Sequence, residues 1–409
     1  MTSGRPAPQI DQDMPRPTSR SERIDAIDML RGIALFGVLA INLVFEFRVS
    51  IFEEFLARQP VSTIDRAVAA FLMFAIDMKA FAVFSLLFGV GLAIQFGRLA
   101  ESGRRLQLLV RRLVVLLAIG LLHLCLIWNG DILTEYALAG LIVLPFLSGP
   151  RWLLALSALA SLALYLAMQA FPPAGLFPSP ASIRHDVAEA NHVYATGGFT
   201  EVLAFRLREI PLILPLHVYV FPRTIGLFLL GALTWRTGIL QNPRLRPLFW
   251  IAAAGIGLGA ALILPNAGGL IADGRMGALA SPLGTILLAL GYAAAIIAIA
   301  NLEIGRALLG WAAPLGRMAF TNYLAQSLIF GWIFYGYGLG MFGRLGVAEA
   351  LAVGVAVYVG LAMFSIWWLR RYRYGPVEWL WRTLMYGVAQ PMSGLTPCRG
   401  NMARPDHAP

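Results

Sequence analysis

The 409-residue chain is poor in charge, almost without lysine and almost without cysteine. Charged residues make up 13% of it, about half the roughly 25% of a soluble domain, which excludes an ordinary water-facing globule. Hydrophobic residues reach 58% and the mean hydropathy is +0.71. The two cysteines, Cys125 in an apolar run and Cys398 in a polar tail, exclude a disulfide framework. The histidines and cysteines match no metal-ligand spacing, so no metal is expected. Lys79 is the single lysine, and the net charge of +10 is therefore carried by arginine. In so apolar a chain, arginine gathered on one side of a bilayer is an orientation signal, and no nucleic-acid partner is expected.

Long apolar runs are abundant. Several reach the ~20 residues that a helix needs to cross a bilayer, and together they predict an all-α, polytopic membrane bundle. About ten transmembrane helices are expected, near 27–47, 77–97, 108–128, 131–148, 152–171, 212–233, 247–265, 281–301, 316–335 and 347–369. Residues 1–22 and 389–409 read as disordered tails, the first with no secretory leader, around a single membrane-embedded domain, 23–388. The stretch 49–76 looks amphipathic. Residues 172–211, rich in proline and carrying His185 and His192, read as a long extracytoplasmic loop dividing helices up to about 171 from a C-terminal half, 212–388. Arginine clusters at 20–31, 98–112, 236–246 and 370–382 all fall on one side of a ten-span chain. By the positive-inside rule that side is cytoplasmic, with both termini on it. The loop near Asn266 then faces outside.

The polar residues inside the apolar runs are the candidates for chemistry, because ionisable groups in a membrane are costly and face the bundle interior or water. In the third span His123 stands about 16 Å beyond Arg112, past the midplane and in the outer half. The chain then breaks at Asn129-Gly130 and re-enters through Asp131 and Glu135. His123 is a candidate general base with its ring oriented by Asp131; the plainer alternative is a buried neutral histidine bonded to a neighbouring helix. In the first span Asp28, Arg31, Leu35 and Asn42 share one stripe, at ~100° per residue. Asn42 falls at the depth of His123, and Asp28 with Arg31 near the cytoplasmic face, where an anchoring ion pair is the alternative. Lys79 stands with Asp77 at the outer end of span two, either snorkelling or part of the same polar layer. Ser85, Gly89 and Gly91 are expected at close helix contacts, and Asn322 and Gln326 at interhelical hydrogen bonds. His217, beside Pro215, reads as solvated or capping. The stretch RRYRYGPVEWLWRTLMYG reads as an interfacial helix.

Five segments in order, IDMLRGIALFGVLAIN, KAFAVFSLLFGVGLAI, GLLHLCLIWNGDILTEYALAG, PLGRMAFTNYLAQS and YGPVEWLWR, resemble the YeiB-like bacterial membrane proteins, defined by a C-terminal domain of unknown function. The likeness covers roughly residues 23 to 388. That family is grouped with transmembrane acyltransferases, including the lysosomal enzyme that acetylates heparan glucosamine across a membrane. The shared signature is D-x-x-R-G, here Asp28, Arg31 and Gly32, with Asn42 beyond it. The lysosomal H-x-x-W-N-G stretch has its nearest analogue in His123 with Trp128-Asn129-Gly130, at another position and spacing. The resemblance implies transfer of an acyl group from cytoplasmic acyl-CoA, as cosubstrate, to an extracytoplasmic hydroxyl or amine on a small molecule or glycan. His123, Asp131, Asn42 and Lys79 would carry catalysis, and Arg31, Arg104, Arg105, Arg111 and Arg112 would meet the donor's phosphates. The location implied is the bacterial inner membrane. A transporter or export-associated protein without acyl-transfer chemistry is the rival reading, because intramembrane Asp, Glu, His and Lys mark ion paths equally well.

Overall fold

A computed structural model describes residues 24–56, 62–267 and 274–392. The expected tail 1–22 and residues 393–409 of the expected tail 389–409, with Arg20 and Cys398, lie outside the described residues, as does the loop following Asn266 and Ala267; Gln390 and Met392 accept hydrogen bonds from Trp379 and Arg373. Among the described residues the regular structure is entirely helical, and the protein is a polytopic α-helical membrane protein. Eight helices are long and apolar enough to cross a membrane. All ten expected segments are helical, but two are short: Leu133–Ser148 is a shorter apolar helix, and Ala319–Phe334 has 16 residues.

The first helix, α1 (Asp25–Asn42), runs on through a π-helical turn, Leu43–Phe47. Next, α2 (Thr63–Ala75) and α3 (Lys79–Arg98) form a 36-residue apolar unit, broken where Met78 takes a left-handed backbone with φ of 57°. The amphipathic stretch thus contributes α2. The following helix, α4 (Arg105–Leu122), ends in a second π turn, His123–Ile127, and reverses into α5 (Leu133–Val143). Then comes α6 (Arg151–Ala170).

The segment expected as a loop is largely helical. It holds α7 (Pro180–Thr196) and the first turns of α8 (Phe199–Arg236), a 38-residue helix. Proline there misled the sequence reading for two reasons. Pro180 occupies the first turn of α7, where its missing N–H is no loss, behind Ser179, whose hydroxyl accepts from the Ser182 amide at 3.1 Å. Pro211 lies inside α8, as do Pro215 and Pro222 of the span expected at 212–233, and packed membrane helices tolerate such residues by local adjustment. The remaining elements are α9 (Leu245–Ala267), α10 (Arg275–Ala300), the short α11 (Glu303–Leu309) and α12 (Ala312–Arg317), then α13 (Ala319–Phe334), α14 (Val347–Leu369) and α15 (Pro376–Tyr386).

Small residues set the helix spacing, as membrane packing requires. A Cβ at Gly89 of α3 would overlap the Phe228 carbonyl of α8, and one at Gly231 of α8 would overlap the Leu86 carbonyl of α3. Gly91 faces open space instead. Ser85 is bonded to the Tyr136 hydroxyl at 2.9 Å. The D-x-x-R-G pattern docks α1 on α12: Arg31 Nη1 donates to Asp28 at 2.9 Å and to the Gly316 carbonyl at 3.3 Å. Gly32 and Gly316 leave no room for a Cβ against the facing backbone.

The last helix, α15, packs against α4 and α13, so the expected interfacial helix turns part of its surface inward. Its Glu378 accepts from the Phe320 amide at 2.8 Å, the Thr321 amide at 3.1 Å and the Thr321 hydroxyl at 2.5 Å. One carboxylate thereby terminates α13, supplying the acceptors that a helix start lacks. Burial pushes its pKa above the usual carboxylate range.

Candidate active site at the end of the α4–α5 hairpin

The hairpin is closed by backbone geometry before it is decorated by chemistry. The π turn His123–Ile127 holds one more residue than an α turn, and such bulges recur at functional sites. Trp128 then takes an extended conformation. A Cβ at Gly130 would overlap the Trp128 ring and lie against Glu46 Oε2, so only glycine lets the chain reverse there.

This reversal brings His123 and Asp131 together. His123 Nδ1 lies 2.8 Å from Asp131 Oδ1, and both side chains are buried. The second carboxylate oxygen, Oδ2, accepts from the Thr134 amide at 2.7 Å, in the first turn of α5. An Nδ1–H donated to a carboxylate leaves the lone pair of a neutral imidazole on Nε2. His123 Nε2 is buried and has no hydrogen-bond partner among the described residues. A base oriented by a fixed carboxylate, with its reactive nitrogen uncommitted, is the arrangement general-base chemistry requires. The Tyr323 ring of α13 lies 5.3 Å from the imidazole, and its hydroxyl accepts from the Ile132 amide at 3.3 Å.

Asn42 immediately precedes the other π turn, is buried, and has its Oδ1 without a hydrogen-bond partner. The two π turns meet through Phe47 and Trp128, stacked at 4.5 Å. Gln326, on the same helix as Tyr323, is likewise buried with Nε2 unbonded, whereas Asn322 makes the expected interhelical bond, to Ser365 at 3.0 Å.

Two further groups surround the hairpin. His217 Nδ1 lies 3.0 Å from Glu135 Oε2, and the Thr224 hydroxyl donates to Glu135 Oε1. His217 is thus bound to a buried carboxylate rather than solvated. On the other side Asn129 Nδ2 and the Tyr194 hydroxyl each donate to Glu209 Oε2 at 2.5 Å. The fully buried Arg206 donates to the Leu126 carbonyl of the π turn at 3.0 Å. Asp186 of α7 adjoins Glu209 on a 220 Å³ cavity, and burial raises its pKa. The sequence reading missed Arg206, Glu209 and Tyr194; the signal available was a Glu and an Arg at helical spacing in a segment bounded by apolar residues.

The remaining expected site residues make contacts of their own. Lys79 is buried, and its ammonium donates to the Met73 carbonyl at 2.7 Å, holding the broken end of α2 rather than snorkelling. Arg31 is engaged in the α1–α12 contact. The Arg112 guanidinium covers the Trp381 ring at 3.5 Å, while Arg104 and Arg111 are exposed. Arg105 donates to the Leu99 and Ala100 carbonyls and lines a 460 Å³ cavity at the arginine-rich end.

The sequence is similar to those of other bacterial chains. The chain is 33% identical to the uncharacterized protein YxaH of Bacillus subtilis, over 93% of its own length and 98% of that protein's. Residues 234–388 match the family described as a protein of unknown function, DUF418. The chain belongs to the YeiB-like DUF418 family. It is also 30% identical to the uncharacterized protein YeiB of Escherichia coli, over 90% of this chain and 98% of that one. The DUF418 segment begins at the end of α8, so His123, Asp131 and Asn42 lie before it, and the segment contributes Tyr323 and Gln326 to their surroundings.

Proposed function

We propose that this DUF418 protein is a transmembrane acyltransferase, moving an acyl group from cytoplasmic acyl-CoA to an extracytoplasmic hydroxyl or amine, in a bacterial inner membrane with both termini cytoplasmic. The observation that supports this most is the buried His123–Asp131 pair with Nε2 uncommitted. In the proposed step His123 Nε2 takes the proton of the acceptor O–H or N–H as the acceptor atom bonds to the thioester carbonyl carbon. The C–S bond then breaks, and the departing thiolate receives the proton from the imidazolium. Asp131 keeps the imidazole in one tautomer and offsets its transient charge. The Asn42 amide is the expected donor for the developing oxyanion. Lys79 is committed to the Met73 carbonyl and is left out of this step. The experiment is release of free CoA thiol by proteoliposomes given acetyl-CoA and candidate acceptors, comparing wild type with His123→Gln. Equal turnover in the two would remove His123 as base.

A transporter remains the second reading, because Glu135 with His217, and Asn129 with Glu209 and Tyr194, form buried polar chains of the kind that mark ion paths. It predicts solute uptake that follows a proton or sodium gradient and no thiol release.

A further inference from the structure

The arginine-rich end holds a cavity that the hairpin chemistry does not use. It measures 460 Å³ and is walled by Phe96 and Gly97 of α3, Arg105 at the start of α4, Arg151 at the start of α6, and Trp235 and Arg236 at the end of α8. Three arginines from three helices therefore line one space, and no Asp or Glu is among the residues lining it. Orientation in a membrane asks only that arginines lie on the correct side, as the exposed Arg104 and Arg111 do. Gathering three around one cavity adds mutual repulsion unless an anion offsets it.

The cavity is also built rather than incidental. Arg236 is held by the Gly149 carbonyl at 2.5 Å, and Arg105 by the Ala100 carbonyl at 3.0 Å and by the Phe96 ring at 4.3 Å. Those bonds use part of the five donors each guanidinium carries and fix its position. Arg151 is exposed and opens α6. Guanidinium forks match phosphate oxygens two at a time, and the aromatic and aliphatic wall accepts the apolar remainder of a larger ligand.

We propose that this cavity binds a phosphate-bearing ligand through its phosphate, held by Arg105, Arg151 and Arg236. The phosphate belongs either to an anionic lipid headgroup at the membrane surface or to a soluble phosphate ester. The site is separate from the histidine site: eighteen helical residues from Arg105 to His123 span about 27 Å. It does not rest on acyl transfer.

The test is thermal unfolding of the purified full-length protein in detergent with three probes: phosphatidylglycerol, coenzyme A and inorganic pyrophosphate. Diacylglycerol, which lacks the phosphate, is the control. At least one phosphate-bearing probe should raise the unfolding temperature, and diacylglycerol should not. Phosphatidylglycerol alone would assign a lipid headgroup, and coenzyme A or pyrophosphate a soluble ester. Arg151→Gln should weaken binding about tenfold, the loss of one charge-assisted contact. Gly97→Leu should abolish it by filling the space, since a Cβ there meets nothing within 4 Å. His123→Gln should bind as wild type, so a failed acyltransferase assay leaves this result readable. No shift with any phosphate probe, or unchanged binding in both Arg151→Gln and Gly97→Leu, overturns the proposal.

Discussion

The two ends of the bundle use their polar groups differently. At the arginine-rich end, buried or half-buried charge is spent on structure. Arg31 joins Asp28 and Gly316, Glu378 receives three donors at the start of α13, and Arg112 covers Trp381. At the hairpin end the buried groups keep capacity in reserve: Asn42 Oδ1, His123 Nε2, Gln326 Nε2, and Nε and Nη2 of Arg206 have no hydrogen-bond partners. Buried polar groups are normally satisfied, and each exception asks for a reason. Such exceptions occur at both ends, with Gln95 Oε1 and Arg112 Nε at the arginine-rich one, but those at the hairpin end lie near one histidine and two π turns.

The contrast can be broken by substitution. The largest effect should come from His123→Gln, with thiol release falling about 10²–10⁴-fold, the range of a lost general base, while the unfolding temperature stays near that of wild type. A variant that merely unfolds would erase the distinction between the two ends. Glu378→Ala should do the reverse and cost about 3 kcal/mol of stability, because two amides and a hydroxyl lose their acceptor; denaturant titration checks it.

The same carboxyl sharpens the comparison through pH. Its folded pKa is raised by burial above the ordinary 4.5, so the folded form holds a proton that the unfolded chain has already released. Its contribution is fully present below pH 4.5 and is lost as pH rises through the folded value. Glu378→Gln should flatten that part of the stability–pH curve. Lys79→Met should lower stability by about 1–2 kcal/mol, the loss of a bond to the Met73 carbonyl; a collapse of turnover at unchanged stability would instead return Lys79 to the site. The smallest effect belongs to Arg208→Gln, whose pairing with Glu189 is partly solvated and is worth about 1 kcal/mol or less.

Much of this organisation was legible in the residues. Apolar run length revealed the helices, and the Asn129-Gly130 break with a carboxylate just beyond it announced the His123–Asp131 contact, because the partners are only eight positions apart. The π turns were not legible: one extra residue in a turn leaves hydrophobic periodicity almost unchanged. Nor were the bonds from Glu135 to His217 and Thr224, 82 and 89 positions away, since nothing local ties them together. Pro211 concealed the first turns of α8 because its penalty in water differs from that within a packed bundle. The burial of Lys79 was not legible either, as snorkelling is the default only where a side chain has an open route to the interface.

The length of α8 has a consequence for the environment of the histidine. Its 38 residues extend about 57 Å, nearly twice the ~30 Å of a hydrocarbon core. Measured from Arg236, its first turns stand clear of the lipid, and they carry Arg206 and Glu209 to the side of the hairpin that α7 also covers. The insulation around His123 is therefore protein and not lipid. It travels with the molecule into a micelle, so the side chains enclosing this imidazole are the same in detergent as in a vesicle.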